Sequence, residues 1–266
     1  MAKKIGRKDR PRGGDKSIVW ISGMHAVGET LQARPATIGE LWVVHGVQSP
    51  EVGAMVRLAR KAGVRVLFVG RPELDRATGG GNNQGVGAKT YVSSTDGEDF
   101  SKFLPRLREE EKKGMVLVAL DQIQDPHNLG AIARSAANLG ARGLIIPERR
   151  SAPVSPAAIR ASAGAIQKID VFRVVNLAQA LARCKENGFW IYGADAAGKT
   201  AWSVTINTPL VLVIGSEGYG MRDLVRGSCD ALLSIPQAEG GVSSLNASCA
   251  ASVLLYEVSR QRAAQR

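Results

Sequence analysis

The sequence predicts an α/β protein: a parallel β-sheet with helices on both faces, preceded by a small α/β domain. Three observations carry this. From residue 115 onward, short apolar runs alternate with helical segments, the pattern of a parallel sheet built from crossover units. Those runs are apolar at nearly every position, as strands covered on both faces must be. A polar stretch, Ser-Ser-Thr-Asp-Gly-Glu at 93–98, then separates this alternation from an earlier set of strands and helices, and reads as a linker. The chain thus divides into a basic tail (1–16), a small domain (17–92), the linker (93–98) and a larger domain (99–266). A length of 266 residues supplies enough material for two cores.

Charge is the second guide. Lys and Arg number 35 against 24 Asp and Glu, a net charge of +11 that favours a polyanionic partner. Seven of the basic residues (Lys3, Lys4, Arg7, Lys8, Arg10, Arg12, Lys16) fall in the first 16, opposed only by Asp9 and Asp15. Without apolar periodicity, this segment reads as a disordered tail suited to phosphate backbones, or as one that simply aids solubility. Cys184, Cys229 and Cys249 are odd in number and far apart, which argues against a disulfide framework. His25, His45 and His127 are equally scattered, so no metal site is expected. No apolar run approaches the roughly 18 residues of a membrane span, and a cytoplasmic location is expected.

In the small domain, Leu41–Val44 and Val64–Val69 read as strands, and Pro50–Ala62 as an amphipathic helix stopped by Gly63. The loop Gly79–Asn83 precedes a last strand at Gln84–Val92. A charged helix from Asp99 to Lys113 leads into the large domain. Its strands are expected at Met115–Leu120, Gly143–Ile146, Ile169–Val174, Phe189–Gly193, Leu210–Ile214 and Ala231–Ile235, with helices at 126–139, 156–166, 176–187, 220–228 and 244–262. Ligands of such sheets bind beyond the carboxyl ends of the strands. Polar, Gly-rich loops fall there.

The first of these loops opens the best-signalled helix. In Asp125-Pro-His-Asn-Leu-Gly-Ala-Ile-Ala-Arg134-Ser135, Asp125 suits the N-cap and Pro126 the first helical position. Leu129, Ile132, Ala133, Ala136 and Ala137 form one buried stripe, and Arg134 lies off it. Helical side chains lean toward the N-terminus, so the Arg134 guanidinium is expected over Gly130 and Ala131, approaching Asn128. An amide and a cation above a helix N-terminus suit an anionic substrate, although taken alone the pair also fits a surface arginine and a turn-capping asparagine.

One motif misleads. Gly193-Ala-Asp-Ala-Ala-Gly-Lys-Thr200 fits the phosphate-binding pattern GxxxxGK[ST] letter for letter. That chemistry needs a helix starting at the lysine, whose amides cradle phosphates. The β-branched run after Ala201 and Pro209 leave no room for one, so nucleotide hydrolysis is rejected.

Two further loops complete a pattern. Gly215-Ser-Glu217-Gly-Tyr-Gly220 permits tight turns beside a ligand, and Val242-Ser-Ser244-Leu-Asn246 brings capping hydroxyls to the start of a helix. Together with 125–134, the segments Ile214–Met221 and Ile235–Ala247 resemble the three motifs of the TrmH family, RNA 2′-O-ribose methyltransferases of the SPOUT superfamily. The resemblance covers nearly the whole chain after Lys16 and extends to the RlmB type, which methylates a guanosine ribose in 23S ribosomal RNA. A transfer-RNA ribose methyltransferase, or a non-catalytic RNA-binding or assembly protein on this fold, are the alternatives.

The resemblance implies a SPOUT-type sheet with a C-terminal trefoil knot that binds S-adenosylmethionine (AdoMet). It implies a homodimer, and a small first domain that binds ribosomal RNA. It places the functional motif positions on Asn128, Arg134, Glu217, Ser244 and Asn246, and cofactor contacts at Gly193, Ala194, Asp195, Gly215, Ile235 and Leu245. Asn83-Gln84-Gly85 departs from the His-Gln-Gly common in the family. Phosphate contacts are expected from Arg149 and Arg150 as well as Lys3, Lys4 and Arg7. Arginine keeps its proton under ordinary conditions, so Arg134 is expected to stabilise charge on the attacking oxygen and grip a phosphate rather than take the proton.

Overall fold

A computed structural model describes residues 17–33, 35–47, 49–80, 82–92, 100–238 and 244–264. The basic tail with Lys3, Lys4 and Arg7, the linker 93–98, and Ser243 lie outside them. The described residues form two sheets. The smaller contains β1 (Ser17–Ser22), β2 (Ile38–Val44), β3 (Arg65–Val69) and β4 (Val86–Val92) in the order β1-β4-β2-β3. Strand β4 is antiparallel to both its neighbours, while β2 and β3 run parallel through the helix α2 (Pro50–Lys61). Ile21, Leu41, Val43, Val86 and Ala88 pack with α2 and with α1 (Met24–Ala33). On the other face, Leu74 of α3 (Arg71–Thr78) joins Val44 and Val69.

The larger sheet has six parallel strands in the order β10-β8-β9-β5-β6-β7. These are β5 (Val116–Leu120), β6 (Gly143–Pro147), β7 (Asp170–Val174), β8 (Trp190–Thr200), β9 (Leu210–Ile214) and β10 (Ala231–Ser234). Alternate side chains feed two cores, which explains why the strands are apolar throughout. Val116, Val118, Leu120, Leu210, Leu212 and Ile214 face α6 (Pro126–Asn138), α7 (Pro156–Ala161) and α10 (Ala247–Ala264). Leu117, Ala119, Val211 and Val213 face the opposite side, with α4 (Phe100–Arg106), α8 (Leu177–Glu186) and α9 (Asp223–Arg226). A four-residue helix, α5 (Glu109–Lys112), precedes β5.

The helix expected over Asp99–Lys113 is two helices. Pro105 has no amide to donate one turn back, and α4 ends one residue later. The helix expected over 156–166 stops at Ala161, because Ala163 (φ 50°) and Gly164 (φ 81°) turn left-handed before a 3-10 turn at Ala165–Gln167. That turn meets the small sheet's α1, where the Thr30 hydroxyl donates to Gln167 Oε1 and Lys168 pairs with Glu29.

Candidate active site

The expected strand Phe189–Gly193 continues to Thr200, so the misleading GxxxxGK[ST] stretch is β-structure followed by a short 3-10 turn. Its irregularity matters more than its letters. Leu232 of β10 pairs with Gly193, but the next residue, Leu233, pairs with Lys199, which leaves 194–198 as an excursion from the ladder. A Cβ on Gly198 would stand 2.5 Å from the carbonyl carbon of Leu232, so only glycine lets β8 rejoin β10 there.

This excursion, the loop after β9 and the segment from β10 into α10 enclose a cavity of about 300 Å³. Ala194, Asp195, Gly215, Ile235 and Leu245 line it, with Glu217 and Ser244. Gly193 is not among the lining residues. A Cβ there would meet Cys229 Sγ and Met221 Cε at 2.7 Å, so its part is to admit packing from behind. Burial pushes the Cys229 thiol up to about 11, which keeps it neutral in that role. Gly215 is equally constrained: its Cβ would lie 2.3 Å from the Gly220 carbonyl carbon. Ser216 and Gly220 close the intervening hairpin by exchanging backbone hydrogen bonds of 3.0 and 2.9 Å.

At the cavity mouth three of the expected polar residues meet. Asn128 Nδ2 donates to Glu217 Oε1 at 2.7 Å, and Asn246 Nδ2 donates to Asn128 Oδ1 at 3.1 Å and also to Glu217 Oε1. Asn246 reaches this position by capping α10, its Oδ1 accepting from Ser248 N at 2.8 Å and Ser248 Oγ at 2.6 Å. Asp125 caps α6 through His127 N at 2.9 Å, as its sequence signals. Seven residues beyond Asn128, Ser135 bonds Ser252 of α10 at 2.7 Å, which fixes the two helices side by side.

Arg134 makes no hydrogen bond to Asn128, the neighbour expected from its lean along the helix. It is exposed and makes no hydrogen bond or ion pair among the described residues. Position 134 lies about 100° around α6 from the Ser135 face that meets α10, so its side chain projects away from that contact. Ser244 is exposed and lines the cavity, while Arg149 and Arg150 are exposed beyond β6.

Asp121 escaped the sequence reading, and Asp195, expected at the cofactor, has a partner that reading did not give. Asp121, fully buried at the end of β5, accepts from Arg222 N and Nε, both at 2.8 Å, and pairs with Arg222 Nη2 at 2.7 Å. This bridge pins the downstream end of the Gly215–Gly220 loop. Asp195 accepts from Arg226 Nε at 2.7 Å and from Ala197 N at 2.9 Å. The Arg226 guanidinium first, and the Ala197 amide after it, hold its carboxyl below the usual carboxylate range against a desolvation cost. The signal was a charged residue directly after an apolar strand, readable only once its partner was known. Among the described residues, no group of His, Cys, Asp and Glu is arranged to hold a metal, and no helix is long and apolar enough to cross a membrane.

Residues 115–256 match the SpoU rRNA Methylase family, and 20–91 match the model described as RNA 2′-O ribose methyltransferase substrate binding. The chain belongs to the SpoU rRNA methylase family. It is an RNA 2′-O-ribose methyltransferase on an α/β SPOUT-type fold. Bacillus subtilis YacO, of the TrmH family of tRNA/rRNA methyltransferases, is 39% identical over 91% of this chain and 96% of its own length. Among solved structures, the SpoU methyltransferase AviRb of Streptomyces viridochromogenes superposes with a TM-score of 0.76 at 26% identity, covering 94% of this chain and 91% of that one. AviRb is also known in complex with the cofactor AdoMet, at a TM-score of 0.75 and 25% identity over 93% and 91% of the two chains. An rRNA methyltransferase from Sinorhizobium meliloti has a TM-score of 0.75 at 25% identity over 92% and 88%. In this SpoU enzyme, the second and third motif segments line one cavity, and the first joins them through the bonds of Asn128 to Glu217 and Asn246.

Proposed function

We propose that this enzyme methylates the ribose 2′-hydroxyl of a guanosine in 23S ribosomal RNA, drawing the methyl group from AdoMet in the cavity bounded by β8, β9, β10 and α10. The observation that carries this is the Asn128–Glu217–Asn246 cluster at the mouth of a cavity whose size falls at the lower end of small-molecule sites, about 300 Å³. The fit is chemical as well as spatial. Ala194, Gly215, Ile235 and Leu245 give apolar walls, and Gly215 lets the chain pass against the backbone of Gly220 and Met221, where a side chain would not fit.

When bound, AdoMet supplies an electrophilic methyl on a sulfonium. The chain must then orient a hydroxyl behind that carbon and stabilise its loss of a proton. Asn128 and Asn246 are fixed by Glu217 and by the α10 cap, so their amides meet the ribose without reorganising. Ser244 lies beside them as a further hydroxyl partner. Arg134, exposed and without a partner among the described residues, is free to engage the phosphate next to the target and the developing oxyanion.

The same reading assigns RNA recruitment to the small domain, to Arg149 and Arg150, and to Lys3, Lys4 and Arg7 of the tail. It includes a cytoplasmic homodimer, with Val253 (43% exposed) and Tyr256 (61% exposed) of α10 in the contact. It also includes a trefoil knot formed as the chain returns from edge strand β10 to α10. Support for ribosomal RNA is the likeness to the Sinorhizobium meliloti rRNA methyltransferase across both sheets.

Ribose methylation should be mapped by mass spectrometry on ribosomal and transfer RNA from cells with and without the protein, then restored in vitro with AdoMet. One guanosine of 23S ribosomal RNA should lose its 2′-O-methyl group and regain it on addition of enzyme. A lost mark in transfer RNA would move the substrate, and no lost mark in either would sink the proposal.

A further inference from the structure

The excursion 194–198 forms one wall of the cofactor cavity, yet it has no strand partner on β10 over those residues. Behind it lies a second, larger space of about 790 Å³, lined by Ala197, Gly198, Lys199 and Arg226 among others. Residues 194–196 thus line the cofactor cavity and 197–199 the second space. What spans the gap is an ion pair, in which Arg226 of α9 donates to Asp195 Oδ2 at 2.7 Å while Asp195 Oδ1 holds Ala197 N. Both carboxylate oxygens are thereby used within the chain. Asp195 shapes the wall rather than offering a free anion to a ligand.

Helix α9 is anchored at its other end. Arg222 and Arg226 are four residues apart, linked by the hydrogen bond from Arg226 N to Arg222 O at 2.8 Å. Arg222 grips Asp121 at the end of β5, and Arg226 grips Asp195 in the β8 excursion. One turn of helix thus ties two walls of the cavity, the Gly215–Gly220 loop and the excursion, into a fixed relation. The two bridges differ in kind. Asp121 is fully buried, whereas the Arg226 and Asp195 side chains are 45% and 21% exposed, so the second pair contributes little to global stability.

We propose that Arg226 is a positioning residue for the cofactor: its pair with Asp195 holds the 194–198 wall in the shape AdoMet requires. This rests on the reading that the cavity takes AdoMet.

Binding of AdoMet to the full-length protein, without RNA, should be compared by calorimetry for wild type, Arg226→Gln, Arg226→Lys, Asp195→Asn and the Gln/Asn double variant. Arg226→Gln and the isosteric Asp195→Asn should each weaken AdoMet about tenfold, the equivalent of about 1.4 kcal/mol. The double variant should be no worse than either single one, because both remove the same contact. Arg226→Lys, which keeps the charge, should recover most of the loss. In turnover, Arg226→Gln should raise KM for AdoMet while kcat at saturating AdoMet and KM for RNA stay within about twofold, a split that general loosening of the fold would not give. Unchanged AdoMet affinity in both single variants, or additive losses in the double, would overturn the proposal. Failure of the wild type to bind AdoMet would instead overturn the assignment of the cavity itself.

Discussion

Arg134 and Asn128 stand six residues apart on one helix, yet their settings are opposite. Asn128 is held by two partners, whereas Arg134 has none among the described residues. A side chain already fixed can orient a reacting group at no further entropic cost, while a free one must be ordered by the substrate. Arg134→Ala should therefore lower kcat/KM with RNA by about a hundredfold or more, the cost of removing a charge stabiliser at a reaction centre. AdoMet affinity should be unaffected. Arg134→Lys separates two roles: lysine keeps the charge but loses the planar fork. If turnover of the Arg134→Lys variant stays near wild type, neither a bidentate grip nor special guanidinium chemistry is needed. Glu217→Gln tests the fixed cluster. Both amides donate to the one oxygen Oε1, so a glutamine in its place accepts them only through a neutral carbonyl and loses the charge that strengthens both bonds. A loss of about tenfold or more in kcat is expected, measured at saturating AdoMet.

At the scale of elements, ion pairs decide what periodicity could not. The helix expected over 220–228 begins only at Asp223, because Gly220 turns left-handed (φ 65°) and Arg222 is extended (ψ 149°), its amide donating to buried Asp121. Removing that arginine leaves a buried carboxylate without its cation. Arg222→Ala should lower the unfolding free energy by about 2 kcal/mol, read from denaturant midpoints, since the fully buried Asp121 carboxylate loses a charged donor, although the Arg222 side chain is itself half-exposed. Unchanged midpoints would mean that Asp121 finds water or another donor. Gly215→Ala should weaken AdoMet binding and also lower the denaturant midpoint, its Cβ having nowhere to go but into the backbone of Gly220 and Met221. The legible features were the local ones. Strand Leu210–Ile214 falls where its apolar run places it, and the cap at Asp125 follows from its own side chain, whereas α10 is capped by Asn246 and not by the serine hydroxyls expected there. The Glu217 loop was readable from its glycines. What stayed hidden was made by contact between distant segments: the excursion at 194–198, set by the close approach of Gly198 to Leu232, and the partners of Asp121 and Asp195. A single chain read in order carries no trace of which arginine will meet which aspartate.

For the whole molecule the question is how a net charge of +11 is used. The Asn128–Glu217–Asn246 cluster is compact and mostly amide, so it does little to draw RNA from a distance. The tail is different: seven basic and two acidic residues within the first 16 give it +5 of the total. A cation that neutralises a phosphate releases a condensed counterion, so its contribution disappears as salt rises. Deleting residues 1–16 should therefore weaken RNA binding at low salt and bring the two proteins together at high salt. In a plot of log affinity against log salt, the slope should become shallower by roughly 0.7 for each phosphate of single-stranded RNA that the tail no longer neutralises. Turnover on a saturating concentration of RNA should be retained, because none of the cavity residues is touched. Equal slopes would show that the tail makes no phosphate contact and serves solubility alone. A shallower slope with unchanged AdoMet affinity would place recruitment in the tail and chemistry in the cavity. The remaining slope would then be assigned by neutralising Arg149 and Arg150 in the truncated protein.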